Sequence, residues 1–271
     1  MSLLCIDFGN TRVKWALFEP IGNVALSGGS RTVEVESMGV SQWLGEVVLP
    51  ELKFQPIALV VSSVRGAGVV EECRDFAARL GVGFSNPVAQ SDWHGQSCLA
   101  TSYNNPLSLG QDRWSACYAV AFQTSFPVNL VVSFGTATTV DAVVQPDFTA
   151  SSPRWFRHLG GYIVPGVSTM LQSLHQQTAQ LPMASVCQAD WPVSTSQAIG
   201  AGVFEAQSQL VIAARTRLQD QYEQAVGLWL TGGACTAFAP VFESPVFSLP
   251  DAVLLGLCRQ FTGPSEGGFA S

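Results

Sequence analysis

The sequence predicts an α/β protein made of two related halves, and three observations support this fold class. Strand-like apolar runs alternate with helix-like segments along the whole chain. Two of the runs, LLCIDFGNT at residues 3–11 and NLVVSFGTATT at residues 129–139, share an apolar strand that leads through Phe-Gly to Thr. Their separation of about 126 residues indicates an internal duplication. We therefore expect a first half at residues 1–128 and a second at residues 129–271, joined across one cleft.

The first half is expected to open with three strands and to continue with alternating helices and strands. Strands are expected at residues 3–7, 13–19, 24–29 and, as a β-branched buried run, 56–64. Helices are expected at residues 38–52, 68–81 and 112–123. Gly81 ends the second helix and Asp112 opens the third.

The second half is expected to begin with one strand-like segment at residues 129–144. Gly160, Gly161, Pro165 and Gly166 predict turns, with a helix from about Val167. Three further elements complete this half: a long amphipathic helix at 196–221, a buried strand entering a Gly-Gly turn at 226–235, and a closing helix at 251–261.

The composition predicts a folded protein that binds neither nucleic acid nor membrane. Hydrophobic residues make up 47% and charged residues 12% of the 271 residues, which excludes disorder. The formal net charge is −7 and the 13 Lys and Arg residues are scattered, which argues against a nucleic-acid surface. The uncharged stretch 114–140 is broken by Pro127 and polar residues, and Asp7 interrupts the first apolar run too early for a signal peptide. We therefore expect a cytoplasmic protein.

The seven cysteines are expected to be buried free thiols. Their number is odd, and no two form a C-x-x-C pair. The three histidines, His94, His158 and His175, show no ligand spacing with each other or with cysteine. A zinc site is therefore not expected.

The end of the first strand carries the residues that point most directly to chemistry. Asp7 closes an apolar strand, Gly9 allows close backbone approach, and Lys14 follows. A buried carboxylate needs a cation or a donor, and small polar residues around a glycine bind anions. A hydrated magnesium ion on Asp7 with phosphate on the turn would satisfy both requirements. An ordinary β-hairpin with a hydrogen-bonded aspartate also fits these residues.

Two more glycine turns follow predicted strands. FGTATTVD, at residues 134–141, places three hydroxyls near Gly135, and the Gly-Gly turn at 231–235 would let a purine or its ribose lie against backbone. Each turn by itself also fits an ordinary strand end. The Walker pattern G-x-x-x-x-G-K-[ST] is absent, so a P-loop is excluded.

These turns, in this order, resemble a known superfamily. D-x-G-N-T-x-x-K, G-T-A-T-T-x-D and T-G-G are similar to the motifs of the acetate and sugar kinase/Hsp70/actin superfamily. NNPLSLGQDRW at 104–114, with GGYIVPG and TAQLP, resembles the type III pantothenate kinase family, which includes proteins named Bvg accessory factor. The resemblance implies two ribonuclease H-like (actin-like ATPase) halves around a central nucleotide cleft. It also implies phosphorylation of pantothenate by ATP, the first step of coenzyme A biosynthesis.

The resemblance implies roles for individual residues. Asp112 would be the general base for the primary hydroxyl of pantothenate, and Asp7 would hold magnesium through water. ATP would be bound by Asp7, Phe8, Gly9, Asn10, Thr11, Arg12, Val13, Lys14 and Thr136. Pantothenate would be held by Tyr103, Gly110, Gln111, Asp112 and Arg113, and by Thr178 from the neighbouring subunit of a homodimer.

One position departs from the family pattern. The family commonly has an aspartate two residues before the glycine of G-T-A, where K+ or NH4+ binds, whereas this chain has Ser133. A hydroxyl attracts a cation far less than a carboxylate does. We therefore expect the cation requirement to be weakened, lost or met by other oxygens.

Three other interpretations stay open. Asp112 also fits a simple cap of the helix that begins at Arg113, with Arg113 in a surface pair. The chain also fits another small-alcohol kinase, or an exopolyphosphatase-like member, of the same superfamily. Finally, it fits a regulatory protein that has kept the fold and lost catalysis.

Overall fold

The chain folds into two compact units. The first comprises Met1–Gln123, Ser152–Arg157 and Ala252–Ser271, and the second comprises Thr124–Ser151 and His158–Asp251. The computed structural model describes residues 2–19, 25–32, 39–52, 54–93, 98–146 and 155–262. The packing units differ from the expected halves in three respects, since the second unit starts at Thr124, and both Ser152–Arg157 and the closing helix belong to the first unit.

Strands and helices alternate through the described residues. The strands are β1 (Leu3–Phe8), β2 (Arg12–Phe18), β3 (Ala25–Thr32), β4 (Ala58–Ser63), β5 (Gly83–Ser85), β6 (Leu99–Thr101), β7 (Val128–Phe134), β8 (Ala137–Val144), β9 (Phe156–Pro165), β10 (Val226–Thr231) and β11 (Val246–Ser248). The α-helices are α1 (Val40–Trp43), α2 (Ala67–Leu80), α3 (Gln111–Gln123), α4 (Val167–Gln177), α5 (Thr195–Tyr222), α6 (Cys235–Phe238) and α7 (Ala252–Thr262). Three 3-10 turns lie at Leu49–Glu51, Pro106–Ser108 and Ala239–Val241.

The two sheets share an order of five strands. The five-stranded sheet has the order β3-β2-β1-β4-β5, and the six-stranded sheet contains the same order as β9-β8-β7-β10-β11, with β6 as its sixth strand beside β9. In each sheet the central strand pairs antiparallel with the next strand of the chain, as β1 with β2 and β7 with β8. The same central strand pairs in parallel with a later one, β4 or β10. The repeated order confirms the predicted α/β class with two related halves.

Strand β1 is buried on both faces, which explains its continuous apolar run. Successive side chains of a strand point to opposite faces. Leu4 and Ile6 pack in a cluster that includes residues of α1 and α2, whereas Leu3 and Cys5 pack against Leu257 and its neighbours on α7. The strand that carries Asp7 is therefore held between two helical layers.

Helix α7 packs closely against α3 within the first unit. A Cβ placed on Gly256 would lie 1.8 Å from the carbonyl oxygen of Ser115, so the two helix backbones are in contact. Gln260 Oε1 accepts a hydrogen bond from Trp114 Nε1 at 2.6 Å, and its Nε2 donates to Ser115 Oγ at 3.2 Å. These contacts explain why the closing helix belongs to the unit that contains α3.

The core of the second unit lies between α5 and the sheet. Phe238 stacks on Phe134 at 4.5 Å and on Phe204 of α5 at 4.9 Å between ring centroids. Phe134 is the last residue of β7. The aromatic stack therefore fixes the strand end from which the turn at Gly135 emerges.

Most of the expected long elements are confirmed. The helices at 68–81, 112–123, 196–221 and 251–261 correspond to α2, α3, α5 and α7, and Gly81 ends α2 with φ 69°. The segment expected at 129–144 is a hairpin, because β7 and β8 pair antiparallel around Gly135 and Thr136.

Two local expectations were wrong. The single helix expected at 38–52 is α1 followed by a π-helical turn at Leu44–Val48 and a 3-10 turn at Leu49–Glu51. Pro50 lacks the N–H that a regular helix needs. The turn expected at Gly160 and Gly161 is part of β9, whose buried residues Phe156 and His158 alternate as in a strand.

The cysteines are free thiols, as the sequence predicts. All seven cysteines are free, and six of them are buried. In the described ranges, no helix combines the length and the apolar character needed to cross a bilayer. Of the three histidines considered above, His94 lies outside the described residues.

Candidate functional site

Asp7 lies in a row of polar side chains that crosses three strands of the first unit. Its register partners are Lys14 on β2 and Ser62 on β4, so the three side chains share one face of the sheet. The Ser62 hydroxyl donates to Asp7 Oδ1 at 3.1 Å. Asp7 itself is only 9% exposed. The predicted carboxylate at the strand end is therefore buried.

The environment of Asp7 favours its protonated form. Burial, followed by the negative charge of Asp112, raises the pKa of Asp7 to about 7. The hydrogen bond from Ser62 and the positive charge of Lys14 act in the opposite direction. Asp112 is therefore near enough to Asp7 for their charges to interact. A bound cation would offset both the burial and the repulsion.

The raised pKa predicts that Asp7 destabilises the ligand-free protein at neutral pH. The folded state binds more protons than the unfolded state between about pH 4 and pH 7, so the free energy of unfolding falls as pH rises through that window. Asp7→Asn should therefore be more stable than the wild type at pH 8, by about 2–4 kcal/mol. The difference should shrink towards pH 4. Urea unfolding without metal or nucleotide measures it.

The matched control for this prediction is Asp75→Asn on the exposed surface of α2. An exposed carboxylate loses no hydration on folding, so its substitution should change stability little at either pH. If Asp7→Asn is less stable than the wild type at pH 8, the account of the buried carboxylate is wrong.

The turn between β1 and β2 lies at the surface of the first unit. A Cβ on Gly9 would lie 3.0 Å from Arg12 O, which explains the glycine. Asn10, Thr11 and Arg12 are exposed, while Lys14 is half-buried. The side chains of Phe8 and Val13, both expected in the ATP site, are buried in the core. These two residues can offer a ligand only their backbone groups.

Asp112 lies in the first turn of α3, close behind Gly110. Its Oδ1 accepts the N–H of Arg113 at 2.8 Å, and a Cβ on Gly110 would lie 2.7 Å from that oxygen. Gly110 therefore leaves room for the carboxylate. The capping interpretation is partly right, because Asp112 binds an N–H at the helix start. The negative charge of the same carboxylate also raises the pKa of Asp7.

Arg113 and Tyr103 form a pair beside this carboxylate. Arg113 is buried, its Nη1 donates to the Tyr103 hydroxyl at 2.9 Å, and its guanidinium lies 5.8 Å from the centre of the Tyr103 ring. The alternative of a surface pair does not fit Arg113, because its side chain is buried. The structure brings together two residues that are ten positions apart and that were both expected to hold a substrate.

Asn86, which the sequence did not single out, anchors the start of α3. Its Nδ2 donates to Val61 O at 2.8 Å and to Gln111 Oε1 at 3.1 Å, while Gln111 Nε2 donates back to Asn86 Oδ1 at 3.1 Å. Gln111 Oε1 also accepts the N–H of Ser63 at 2.9 Å. The residue before Asp112 is thus tied to the end of β4. Asn86 and Gln111 have no distinctive spacing, so the sequence contains no local pattern for this contact.

In the second unit, the turn at Gly135 and Thr136 lies against the start of α4. The Gly166 N–H donates to Thr136 O at 3.0 Å, and the Thr169 hydroxyl donates to the same oxygen at 2.8 Å. A Cβ on Gly166 would lie 2.1 Å from Gly135 O, so only glycine fits there. The side chain of Thr136 is exposed. The turn therefore lies beside the positive end of a helix, where anions bind well.

The Gly-Gly turn after β10 lies next to the end of β7. Gly232 has φ 89°, and a Cβ on it would lie 2.4 Å from Phe134 O. The N–H of Ala234 donates to that same carbonyl at 3.3 Å. Two of the three glycine turns found in the sequence are therefore neighbours in the second unit.

The last two predicted positions, Ser133 and Thr178, also lie in the second unit. Ser133 is half-buried on β7, and its register partners are Thr139 and Thr231, which are both neutral. Thr178 follows α4 on the surface, where its hydroxyl donates to Leu174 O at 2.7 Å. Its expected contact with a neighbouring subunit stays a prediction.

Comparison with known proteins identifies the family. The sequence profile described as Type III pantothenate kinase matches residues 3–217. Proteins named Type III pantothenate kinase are similar over most of the chain. The protein of that name from Bordetella bronchiseptica is 31% identical, and the match covers 85% of this chain and 82% of the Bordetella protein. The one from Leptothrix cholodnii is 31% identical, and the match covers 100% of this chain and 100% of the Leptothrix protein. A solved Baf family protein from Campylobacter jejuni is similar in fold, with TM-score 0.58, 19% identity and coverage of 95% of this chain and 98% of that one.

The matched region contains the Asp7 turn, the Asp112 segment and the Gly135 turn. It covers most of the described residues of both units. The chain therefore belongs to the type III pantothenate kinase family.

Proposed function

We propose that this chain is an ATP-dependent kinase that transfers the γ-phosphoryl group of ATP to the primary hydroxyl of pantothenate. The product is 4'-phosphopantothenate, and the reaction is the first step of coenzyme A biosynthesis. The observation that carries the proposal is the charge interaction between Asp112, at the start of α3, and Asp7, at the end of β1. One carboxylate can serve the metal-bound phosphates while the other accepts a proton from the alcohol.

The nucleotide is proposed to bind along the β1–β2 turn. Its phosphates would meet the backbone of residues 8–13 and the ammonium group of Lys14, with Thr136 of the second unit as a further donor. The exposure of Asn10 and Thr11 supports this placement, as does the close fit at Gly9. Successive backbone N–H groups in a turn bind phosphate oxygens.

The donor set at Asp7 fits magnesium. A buried carboxylate whose pKa is raised by burial and by a second negative charge gains from a bound divalent cation. Magnesium usually keeps several water ligands and takes one or two carboxylates together with substrate phosphates. When bound, the ion would neutralise charge on the transferred phosphoryl group, with Asp7 as its protein ligand, directly or through water.

Asp112 is proposed as the general base. Its carboxylate takes the proton of the pantothenate hydroxyl as the new oxygen–phosphorus bond forms, and ADP leaves as the bond to the γ-phosphorus breaks. The contact from the Arg113 N–H holds Oδ1, and the Gln111–Asn86 pair holds the helix start. Both restrict the carboxylate to one position.

Pantothenate is proposed to bind beside this base. Arg113 carries a buried positive charge next to the hydroxyl of Tyr103, which suits a carboxylate-bearing substrate. Gly110 and Gln111 are proposed to line the same side of the pantothenate site. Thr178 would come from the partner subunit of a cytoplasmic homodimer, with no nucleic acid or membrane involved.

The experiment is ADP release from purified protein with ATP and magnesium, with and without pantothenate. Release that requires pantothenate supports the proposal. Release without it indicates a different acceptor, and no release from protein that still binds ATP indicates a regulatory role instead.

Ser133 does not fit a charge-based site for a monovalent cation, because it and its register partners are neutral. We therefore expect turnover in potassium and in sodium buffer to agree within about twofold. Ser133→Asp should introduce a preference for potassium, because it adds the missing carboxylate. A wild-type enzyme that is inactive in sodium and recovers in potassium would contradict this prediction.

A further inference from the structure

Arg65, a cation that the sequence analysis did not single out, lies beside the β1–β2 turn. It follows β4 in the first unit and is half-buried. Its Nε donates to the carbonyl oxygen of Gly9 at 2.8 Å, and its Nη2 makes a longer contact of 3.5 Å with Asn10 O. The guanidinium therefore faces two successive carbonyls of the turn.

These contacts continue the β1–β4 pairing beyond the strand ends. The ladder stops at Phe8 and Ser63, after which the Val64 N–H donates to Phe8 O at 3.1 Å. At the next step the Arg65 side chain, instead of a backbone N–H, binds the carbonyl of Gly9. The N–H of Arg65 donates to Ser63 Oγ at 3.2 Å, which holds the loop in place.

This arrangement determines where the peptide N–H groups of the turn point. In a planar trans peptide, the C=O and the N–H point in opposite directions. Because Arg65 holds Gly9 O, the N–H of Asn10 is directed away from the guanidinium. The Asn10 carbonyl faces the same guanidinium, so the N–H of Thr11 also tends to point away from Arg65. Successive N–H groups on one side of a turn form an anion-binding concavity.

We propose that Arg65 is a positioning residue of the nucleotide site. By holding the carbonyls of Gly9 and Asn10, it directs the N–H groups of Asn10 and Thr11 at the phosphates of ATP. This inference rests on the proposed function, since it assigns the turn to ATP. A lysine cannot replace Arg65, because it lacks the planar fork that binds neighbouring acceptors.

The test compares steady-state kinetics of Arg65→Ala, Arg65→Lys and a matched control, Arg74→Ala. Arg74 is an exposed arginine of the same unit that pairs with Glu71 on α2. Arg65→Ala should raise KM for ATP by roughly tenfold or more, the usual effect of losing a hydrogen bond to a charged group. KM for pantothenate should change by less than about twofold. Arg65→Lys should resemble Arg65→Ala, and Arg74→Ala should resemble the wild type.

Three results would overturn the inference. The first is an unchanged KM for ATP in Arg65→Ala. The second is an equal rise of KM for ATP and KM for pantothenate in Arg65→Ala, which indicates a general loss of structure. The third is a KM for ATP in Arg65→Lys that equals the wild-type value, which indicates that the positive charge alone matters.

Failure of the proposed function would be seen separately, as a wild-type protein that forms no phosphopantothenate. In that case, calorimetric binding of magnesium with a non-hydrolysable ATP analogue still tests Arg65. Weaker binding in Arg65→Ala and Arg65→Lys supports its role, and unchanged binding overturns it.

Discussion

Asp112→Asn is expected to lower kcat for pantothenate phosphorylation by roughly 10²–10⁴-fold, the usual contribution of a general base. Asparagine has nearly the same shape, and its Oδ1 can still accept the Arg113 N–H that Asp112 now binds at 2.8 Å. It cannot accept the proton of the alcohol. KM for ATP and for pantothenate should therefore change far less than kcat. Initial rates over both substrate concentrations measure the effect.

The control for this substitution is Asp75→Asn on the exposed surface of α2, which removes the same charge elsewhere in the first unit. It should leave kcat unchanged. Thermal unfolding of Asp112→Asn should show that the protein remains folded. A kcat near that of the wild type would remove Asp112 from the chemistry and leave it as a helix cap.

Gly256→Ala is expected to destabilise the protein by about 1–3 kcal/mol. The new Cβ would lie 1.8 Å from the backbone oxygen of Ser115, so α7 must move away from α3. Alanine also favours a helix over glycine by about 1 kcal/mol, and this gain only partly offsets the clash. The displacement would strain the bonds from Gln260 to Trp114 and Ser115, which follow Asp112 closely on α3. Activity per folded molecule should therefore also fall.

Gly202→Ala is the matched control, because Gly202 is also inside a helix but a Cβ there would meet no atom within 4 Å. It should be neutral or stabilising by up to about 1 kcal/mol. Urea unfolding of both variants gives the comparison. If Gly256→Ala is as stable as Gly202→Ala, the packing of α7 on α3 described above is wrong.

The parts of the fold that could be predicted from sequence are those with a local physical cause. The continuous apolar run of β1 reflects burial on both faces, and Gly81 ends α2 because it adopts a left-handed conformation. The repeat of Phe-Gly after an apolar strand corresponds to two hairpins, β1–β2 and β7–β8, at the same place in two sheets. Strands β5, β6 and β11 have three residues each, too few to show a periodicity.

The parts that could not be predicted depend on contacts between distant residues. Gln260 binds Ser115 across 145 positions, and Asn86 binds Gln111 across 25. Neither pair forms a motif, because its meaning comes only from the packing of separate elements. For the same reason the sequence did not single out Arg65, although its side chain binds the turn that follows Asp7.

The site residues expected from the family resemblance stay predictions. Asp7, Lys14, Asp112 and Thr136 were all selected from motifs. The structure shows that two of them interact, since the negative charge of Asp112 adds to burial in raising the pKa of Asp7. It also argues against the alternative of a surface pair at Arg113, because Arg113 is buried against Tyr103.

The most direct test of the central claim is transfer of radioactive phosphate from ATP labelled at the γ position to pantothenate. The wild-type protein with magnesium is predicted to yield labelled 4'-phosphopantothenate, identified by its mass, while Asp112→Asn yields almost none. Label that is released as inorganic phosphate, or that stays in ATP while folded protein still binds the nucleotide, would contradict the assignment of this chain as a pantothenate kinase.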